Sequence, residues 1–167
     1  MDNSIPSCTF TGHREENLPW RNDENDPMCI RLKELIADAL ESLYHSGIRH
    51  FICGMATRCN MYFCEAVIEL RASHEDITLE AAIHWKGQSN SWSDALKKRY
   101  SRLVADCDYH TLVQESYTPD CLMRRNRYMV DNASVIIAAY SGKPGGTMST
   151  MLYAMRRGLE IIELPVE

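Results

Sequence analysis

The chain has 167 residues, of which 45% are hydrophobic and 25% charged, a composition typical of a single globular domain rather than of a disordered or fibrous chain. Its 18 Lys and Arg residues against 23 Asp and Glu residues leave a net charge of −5, which argues against a protein that binds nucleic acid through its whole surface. The longest run without Asp, Glu, Lys or Arg, residues 144–155, has 12 residues, fewer than the roughly 20 apolar residues of a membrane-spanning helix.

Two further features predict a cytoplasmic protein. Residues 1–7 lack the basic segment and apolar stretch of a secretion signal, so we expect none. The seven cysteines are scattered, and no two of them form a C-x-x-C pair, which indicates reduced thiols rather than a disulfide scaffold or zinc knuckle. The six histidines show no metal-ligand spacing, so no metal is expected.

Strand-like and helix-like segments alternate along the chain. Short apolar runs predict strands at 7–11, 48–53, 77–85, 109–113, 134–140 and 160–164. Asp26-Pro27 is typical of a helix start, and Gly47 is a plausible end of that helix. Further helices are predicted at 60–73, 92–104, 121–131 and 146–157. Repeated strand–helix units predict one α/β domain over residues 1–167, with a Rossmann-like, doubly wound, mostly parallel sheet covered by helices on both faces.

In such sheets ligands bind beyond the carboxyl ends of the strands, so the loops that leave strands are the places to look for a site. Three of them contain glycine. Gly12, His13 and Arg14 follow the first strand, and residues 54–60 and 141–147 each run from a strand into a helix. Glycine allows close approach of a ligand, and backbone N–H groups at a helix start favour anions such as phosphate. Each loop can also be a plain tight turn.

The helix predicted at 121–131 offers an argument independent of glycine. At about 100° per residue, Leu122, Met123, Met129 and Val130 form one apolar stripe, and Asn126 falls inside it. Either Asn126 satisfies a neighbouring backbone loop or it faces a ligand site together with the arginines at 125 and 127, which flank the stripe.

Glu65 is the carboxylate considered for chemistry. It lies off the apolar stripe of the second helix, where it either contacts a ribose hydroxyl, acts as an acid or base, or is a solvated surface group. The predicted ligand-binding residues are therefore Gly12, His13, Arg14, Gly54, Met55, Ala56, Thr57, Asn60, Glu65, Arg125, Asn126, Arg127, Pro144, Gly145, Gly146 and Thr147.

These loops resemble, in order and over nearly the whole chain, the YpsA-like branch of the SLOG superfamily. The segments that carry the resemblance are 8–14 (CTFTGHR), 54–57 (GMAT), 117–119 (YTP), 123–131 (MRRNRYMVD) and 142–147 (GKPGGT), with Thr150 and residues 153–154. The resemblance implies a Rossmann-like fold and a pocket for a nucleotide or nucleotide-derived ligand between the glycine loops. Relatives include LOG-type phosphoribohydrolases, DNA-binding DprA proteins and sensor domains proposed to bind ADP-ribose-like signals. By the same resemblance, a homodimer is expected.

The chain departs from the family pattern at two places. The second loop usually reads Gly-Met-Ala-x-Gly-x-Asp, but Arg58 stands here for that glycine and Asn60 for that aspartate. Arg58 either obstructs the usual ligand pose or adds positive charge beside a phosphate. LOG enzymes carry a catalytic glutamate in the last glycine motif, where this chain has Met151 and Leu152.

We therefore expect a non-catalytic binding module for a phosphate-bearing nucleotide derivative, with no cofactor other than such a ligand. One alternative is a nucleotide-cleaving N-glycosidase that uses Glu65 with Arg125 or Arg127. Another is a DNA- or protein-interaction domain that uses the basic cluster of Lys97, Lys98, Arg99 and Arg102, although a solvated helix face is favoured there by the acidic total charge.

Overall fold

A computed structural model describes residues 5–166, so residues 1–4 of the segment inspected for a secretion signal lie outside the described part. The six strands form one parallel sheet in the order β4-β3-β2-β1-β5-β6. Their bounds are β1 Ser7–Gly12, β2 His50–Cys53, β3 Thr78–Ile83, β4 Tyr109–Leu112, β5 Val135–Tyr140 and β6 Glu160–Pro165. This is the Rossmann-like α/β fold predicted from the sequence.

Five helices connect the strands, with one 3-10 turn at Glu15–Asn17. Their bounds are α1 Pro27–His45, α2 Cys59–Ser73, α3 Asp94–Asp106, α4 Cys121–Asp131 and α5 Gly146–Arg156. The predicted start of α1 is confirmed, because the Asp26 carboxylate accepts the Met28 backbone N–H at 2.8 Å and Pro27 occupies the first turn.

Alternate strand residues point to opposite faces of the sheet, and the helices divide between those faces. The larger core lies under α1, α2 and α3, where Phe10 and Phe63 stack with ring centroids 4.9 Å apart. On the other face, α4 and α5 cover a thinner layer in which Val130 and Ala154 pack on Ile136. β1 lies at the centre of the sheet, between β2 and β5. The strands that follow β1 in the chain are added first on the β2 side and then, from β5 onward, on the other side. This switch point places a crevice at the carboxyl ends of β1 and β5.

The structure corrects two predictions about the elements. β3 ends at Ile83, so His84 and Trp85 belong to the following loop rather than to the strand. The buried side of α4 is turned relative to the predicted stripe, because Arg125 is 3% exposed whereas Met123 is 51% exposed. Within residues 5–166, no helix is both long and apolar enough to cross a membrane.

Candidate ligand-binding site

A cleft of about 220 Å³ opens at the carboxyl ends of β1 and β5. Its walls come from the loops after β1, β2 and β5 and from one side of α4. The lining residues are Phe10, Thr11, Gly12, His13, Arg14, Glu16, Asn17, Ala56, Asn60, Leu122, Arg125, Asn126, Met129, Pro144, Gly145, Gly146 and Thr147. We call this space the edge cleft.

Eleven of the sixteen residues predicted to bind a ligand line the edge cleft, namely Gly12, His13, Arg14, Ala56, Asn60, Arg125, Asn126, Pro144, Gly145, Gly146 and Thr147. The other five do not. Gly54, Met55 and Thr57 are not among the residues that line the cleft. Glu65 is paired with Arg99 away from it, and Arg127 lines a neighbouring groove.

Arg125 is the most unusual group in the edge cleft because it is a buried cation without a carboxylate partner among residues 5–166. Its Nη1 donates to the Gly54 carbonyl oxygen and its Nε donates to Asn126 Oδ1 at 2.9 Å. Burial is the main cause that lowers the pKa of Arg125, to about 10, so the guanidinium stays protonated at neutral pH. A buried charge of this kind is unfavourable unless an opposite charge joins it.

Gly54 is required at its position because the guanidinium lies directly against it. A Cβ on residue 54 would come within 2.5 Å of Arg125 Nη1. Gln88 completes this support, since its Nε2 donates to the carbonyl oxygens of Gly54 and Met55 at 3.3 and 3.0 Å. Gly54 therefore acts on the edge cleft through Arg125.

Asn126 joins the two helices that flank the edge cleft. Its Nδ2 donates to Thr150 Oγ1 at 3.1 Å, and that hydroxyl donates to the Gly146 carbonyl oxygen at 2.8 Å. The partners of Asn126 within residues 5–166 are the Arg125 and Thr150 side chains rather than a backbone loop, so the first alternative is wrong. Asn126 does line the edge cleft, and its contact with a ligand stays a prediction. The contact with Thr150 holds α4 against the start of α5.

The start of α5 contributes backbone donors. Gly145 has φ 144°, a conformation that favours glycine, and within the described residues no side chain caps the helix. The first amides of a helix have no partner inside that helix, and their dipole favours negative charge. Gly146 and Thr147 place these amides at the edge cleft, opposite Arg125 on α4.

His13 is a neutral, positioned side chain. Its Nε2 accepts the Ser141 backbone N–H at 3.2 Å and lies 3.0 Å from the Ser141 hydroxyl, so the proton is on Nδ1. Burial, with a smaller contribution from the charge of Lys143, lowers the pKa of His13. His13 thus ties the loop after β1 to the loop after β5.

The charge of the edge cleft is opposite to that of the whole chain. Arg14 is exposed at the rim and forms no ion pair within residues 5–166, and Arg125 lies inside. Glu16 is the one acidic residue among the lining residues. A phosphate group would meet a locally positive surface here.

Glu65, the predicted catalytic carboxylate, does not line the edge cleft. Its Oε1 accepts from Arg99 Nη2 at 2.5 Å, and Arg102 is 3.7 Å from its Oε2. Two of the four basic residues of α3, Arg99 and Arg102, are therefore paired with a carboxylate. This pairing reduces the positive charge that the predicted basic cluster could offer to nucleic acid.

Arg58 also points away from the edge cleft. It pairs with Glu15 at 2.8 Å and with Glu24 at 3.4 Å, and it is not among the residues that line the edge cleft. Its backbone has φ 63° and ψ −106°, a strained conformation that a glycine would adopt readily. Burial alone would raise the pKa of Glu24, but hydrogen bonds from Arg99 and Lys33 outweigh it and lower that pKa to about 2.

The sequence reasoning missed His84 and Gln88. His84 donates its backbone N–H to Gln88 Oε1 at 3.0 Å, and its Nδ1 lies 2.8 Å from the same oxygen. Burial, helped by the positive charge of Arg125, lowers the pKa of His84 to about 4. Because the prediction extended the strand through His84, nothing indicated that this loop supports the edge cleft.

Among residues 5–166, no group of three or more His, Cys, Asp or Glu side chains is arranged to hold a metal ion.

Comparison with known proteins identifies relatives of the whole domain. The chain is 27% identical to an uncharacterized SPbeta prophage-derived protein, YoqJ of Bacillus subtilis, over 78% of this chain and 84% of that protein. It is 22% identical to a UPF0398 protein of Halalkalibacterium halodurans, over 89% of this chain and 80% of that protein.

The fold is similar to that of DNA processing protein A (DprA) from Streptococcus pneumoniae, with a TM-score of 0.63 and 15% identity. That match covers 96% of this chain and 50% of the DprA chain, so the chain spans about half the length of that protein. The family model for the YpsA SLOG family matches residues 8–161, which include every loop of the edge cleft. The chain therefore belongs to the YpsA SLOG family.

Proposed function

We propose that the protein binds a phosphate-bearing nucleotide derivative in the edge cleft, with the phosphate between Arg125 and the first amides of α5. The observation that carries the proposal is the buried guanidinium of Arg125, which lines the edge cleft without a carboxylate partner among the described residues. Arginine forms two parallel hydrogen bonds with phosphate oxygens, and the start of a helix provides further N–H donors.

A nucleotide explains the size and character of the site better than a free phosphate does. Ligand pockets usually enclose about 300–1,000 Å³, and the edge cleft of about 220 Å³ shares Asn126 and Gly146 with an adjacent second space. Polar groups at the walls, Asn17 and Asn60 among them, suit the hydroxyls of a sugar. An ADP-ribose-like molecule is the ligand class that we favour, as a signal or bound effector.

Binding without cleavage is part of the proposal. Hydrolysis of a nucleotide N-glycosidic bond needs a carboxylate beside the anomeric carbon. Glu65 is paired with Arg99 outside the edge cleft, and Glu16, the one carboxylate among the lining residues, is exposed to solvent. Incubation with adenosine monophosphate and ADP-ribose, followed by chromatography, tests this. Intact nucleotide at high protein concentration is the expected result, and released adenine or ribose phosphate would favour the enzyme alternative.

Binding itself is tested by thermal unfolding with inorganic phosphate, adenosine monophosphate, ADP-ribose and cyclic nucleotides. A ligand at about 100 times its Kd stabilises the folded state by roughly 2.7 kcal/mol. We expect at least one nucleotide to raise the melting temperature of the natural chain. The same nucleotide should leave the melting temperature of Arg125→Met unchanged. No shift with any of them at millimolar concentration would refute the proposal.

A further inference from the structure

A second cavity of about 420 Å³ lies between α4 and α5, next to the edge cleft. It is lined by Pro119, Leu122, Met123, Asn126, Arg127, Gly146, Ser149, Thr150, Leu152, Tyr153 and Arg156, and we call it the α4–α5 groove. Leu122, Asn126 and Gly146 line both spaces, which are therefore adjacent at the start of α5.

The α4–α5 groove combines an apolar surface with two unpaired cations. Met123 and Leu152, on neighbouring helices, are 51% and 47% exposed. Arg127 lies over the Tyr153 ring at 5.4 Å from its centroid, and within residues 5–166 neither Arg127 nor Arg156 forms an ion pair. No carboxylate is among the residues that line the groove.

Neighbouring arginines on the same helices behave differently. Arg124 pairs with Asp120 at 2.8 Å, and Arg157, just after α5, pairs with Asp131 at 3.1 Å. Asp120 and Asp131 are therefore already paired with arginines that do not line the groove, and Asp131 also accepts the Tyr153 hydroxyl at 2.7 Å. The two cations that do line it, Arg127 and Arg156, are left for an external anion.

Building on the proposed function, we propose that the α4–α5 groove binds the far half of the same ligand, an aromatic base together with a second phosphate group. The base packs against the apolar side chains and stacks with the guanidinium of Arg127. The second phosphate is held by Arg127 and Arg156. A second copy of this chain fits the groove poorly, because two-fold pairing would bring these unpaired arginines together.

The test is calorimetry with inorganic phosphate, adenosine monophosphate, adenosine 3′,5′-bisphosphate and ADP-ribose. We expect at least one ligand with two phosphates to bind the natural chain roughly tenfold or more tightly than the monophosphate, as a charge-assisted contact allows. Arg127→Ala combined with Arg156→Ala should abolish that difference while leaving the affinity for inorganic phosphate unchanged. Arg124→Ala, an exposed and paired arginine on the same helix, is the matched control and should retain the difference.

The outcomes separate the two proposals. If phosphate and adenosine monophosphate bind through Arg125 but a second phosphate adds nothing, the inference about the groove is wrong and the proposed function stands. If none of the four ligands binds, the proposed function fails. Sedimentation of the natural chain and of Leu152→Asp tests whether a second copy of this chain occupies the groove instead. A dimer that dissociates on this substitution would show that the groove is a protein interface and would overturn the inference.

Discussion

Replacing Arg125 by Met should stabilise the unliganded protein and at the same time remove phosphate binding. Burial that lowers the pKa of Arg125 to about 10 corresponds to a free-energy penalty on the charged form of roughly 3 kcal/mol. That penalty applies at every pH below about 10 and is therefore fully present at neutral pH. Methionine fills a similar volume without charge.

Part of this gain is offset by lost hydrogen bonds. The Gly54 carbonyl oxygen keeps the Gln88 Nε2 donor at 3.3 Å, whereas Asn126 Oδ1 loses its donor from Arg125 Nε. With about 1 kcal/mol for each lost hydrogen bond, the net increase in the free energy of unfolding is about 1–2 kcal/mol. For a domain of this size the melting temperature should rise by about 2–8 °C.

Urea denaturation of the natural chain, Arg125→Met and Arg127→Met, each with and without millimolar phosphate, measures this effect. Arg127 is an exposed arginine on the same helix, so its replacement should change the free energy of unfolding by less than about 0.5 kcal/mol. The reasoning is refuted if Arg125→Met lowers the free energy of unfolding by more than about 1 kcal/mol, since the guanidinium would then be a stabilising part of the fold. It is also refuted if the variant is stabilised by phosphate as much as the natural chain is.

Three further predictions concern the surroundings of the edge cleft. Because burial lowers the pKa of His84 to about 4, below its unfolded value, His84 should reduce stability as the pH falls from about 6.5 to 4. His84→Asn, which keeps a donor toward Gln88, should flatten that part of a pH–stability curve, and an unchanged slope would contradict the assignment. Arg58→Ala should destabilise the protein by about 1–3 kcal/mol more than Arg58→Gly, because only glycine relieves the strained backbone; equal urea midpoints would disprove stored strain. Gly54→Ala should displace the Arg125 guanidinium and weaken phosphate binding at least tenfold by calorimetry, whereas unchanged affinity would show that Gly54 does not position that group.

The fold could be predicted from the sequence because local patterns determine it. Apolar runs, the cap at Asp26 and the glycine loops each depend on nearby residues, and β-α alternation restricts the topology to a parallel sheet. The same reasoning brought three distant loops to one edge, where Gly12, Ala56 and Gly145 line the same cleft.

The side-chain assignments that differ depend on tertiary contacts. A helical wheel assumes that arginine avoids the core. In the structure Arg125 lies against Gly54, which has no side chain, and Arg125 is therefore on the buried side of α4. Glu65 was considered for chemistry without knowledge of Arg99, which is 34 residues away in the chain and pairs with it. His84 belongs to no recognisable motif. It contacts Gln88, and Gln88 in turn donates to the Gly54 carbonyl oxygen that also accepts from Arg125, a set of contacts that the sequence does not reveal.

The most direct test of the binding site is a crystal structure of the natural chain grown with saturating adenosine monophosphate. We expect a phosphate within hydrogen-bond distance of the Arg125 guanidinium and of the backbone N–H groups of Gly146 and Thr147. A nucleotide bound elsewhere, or one whose phosphate contacts neither Arg125 nor the start of α5, would contradict it.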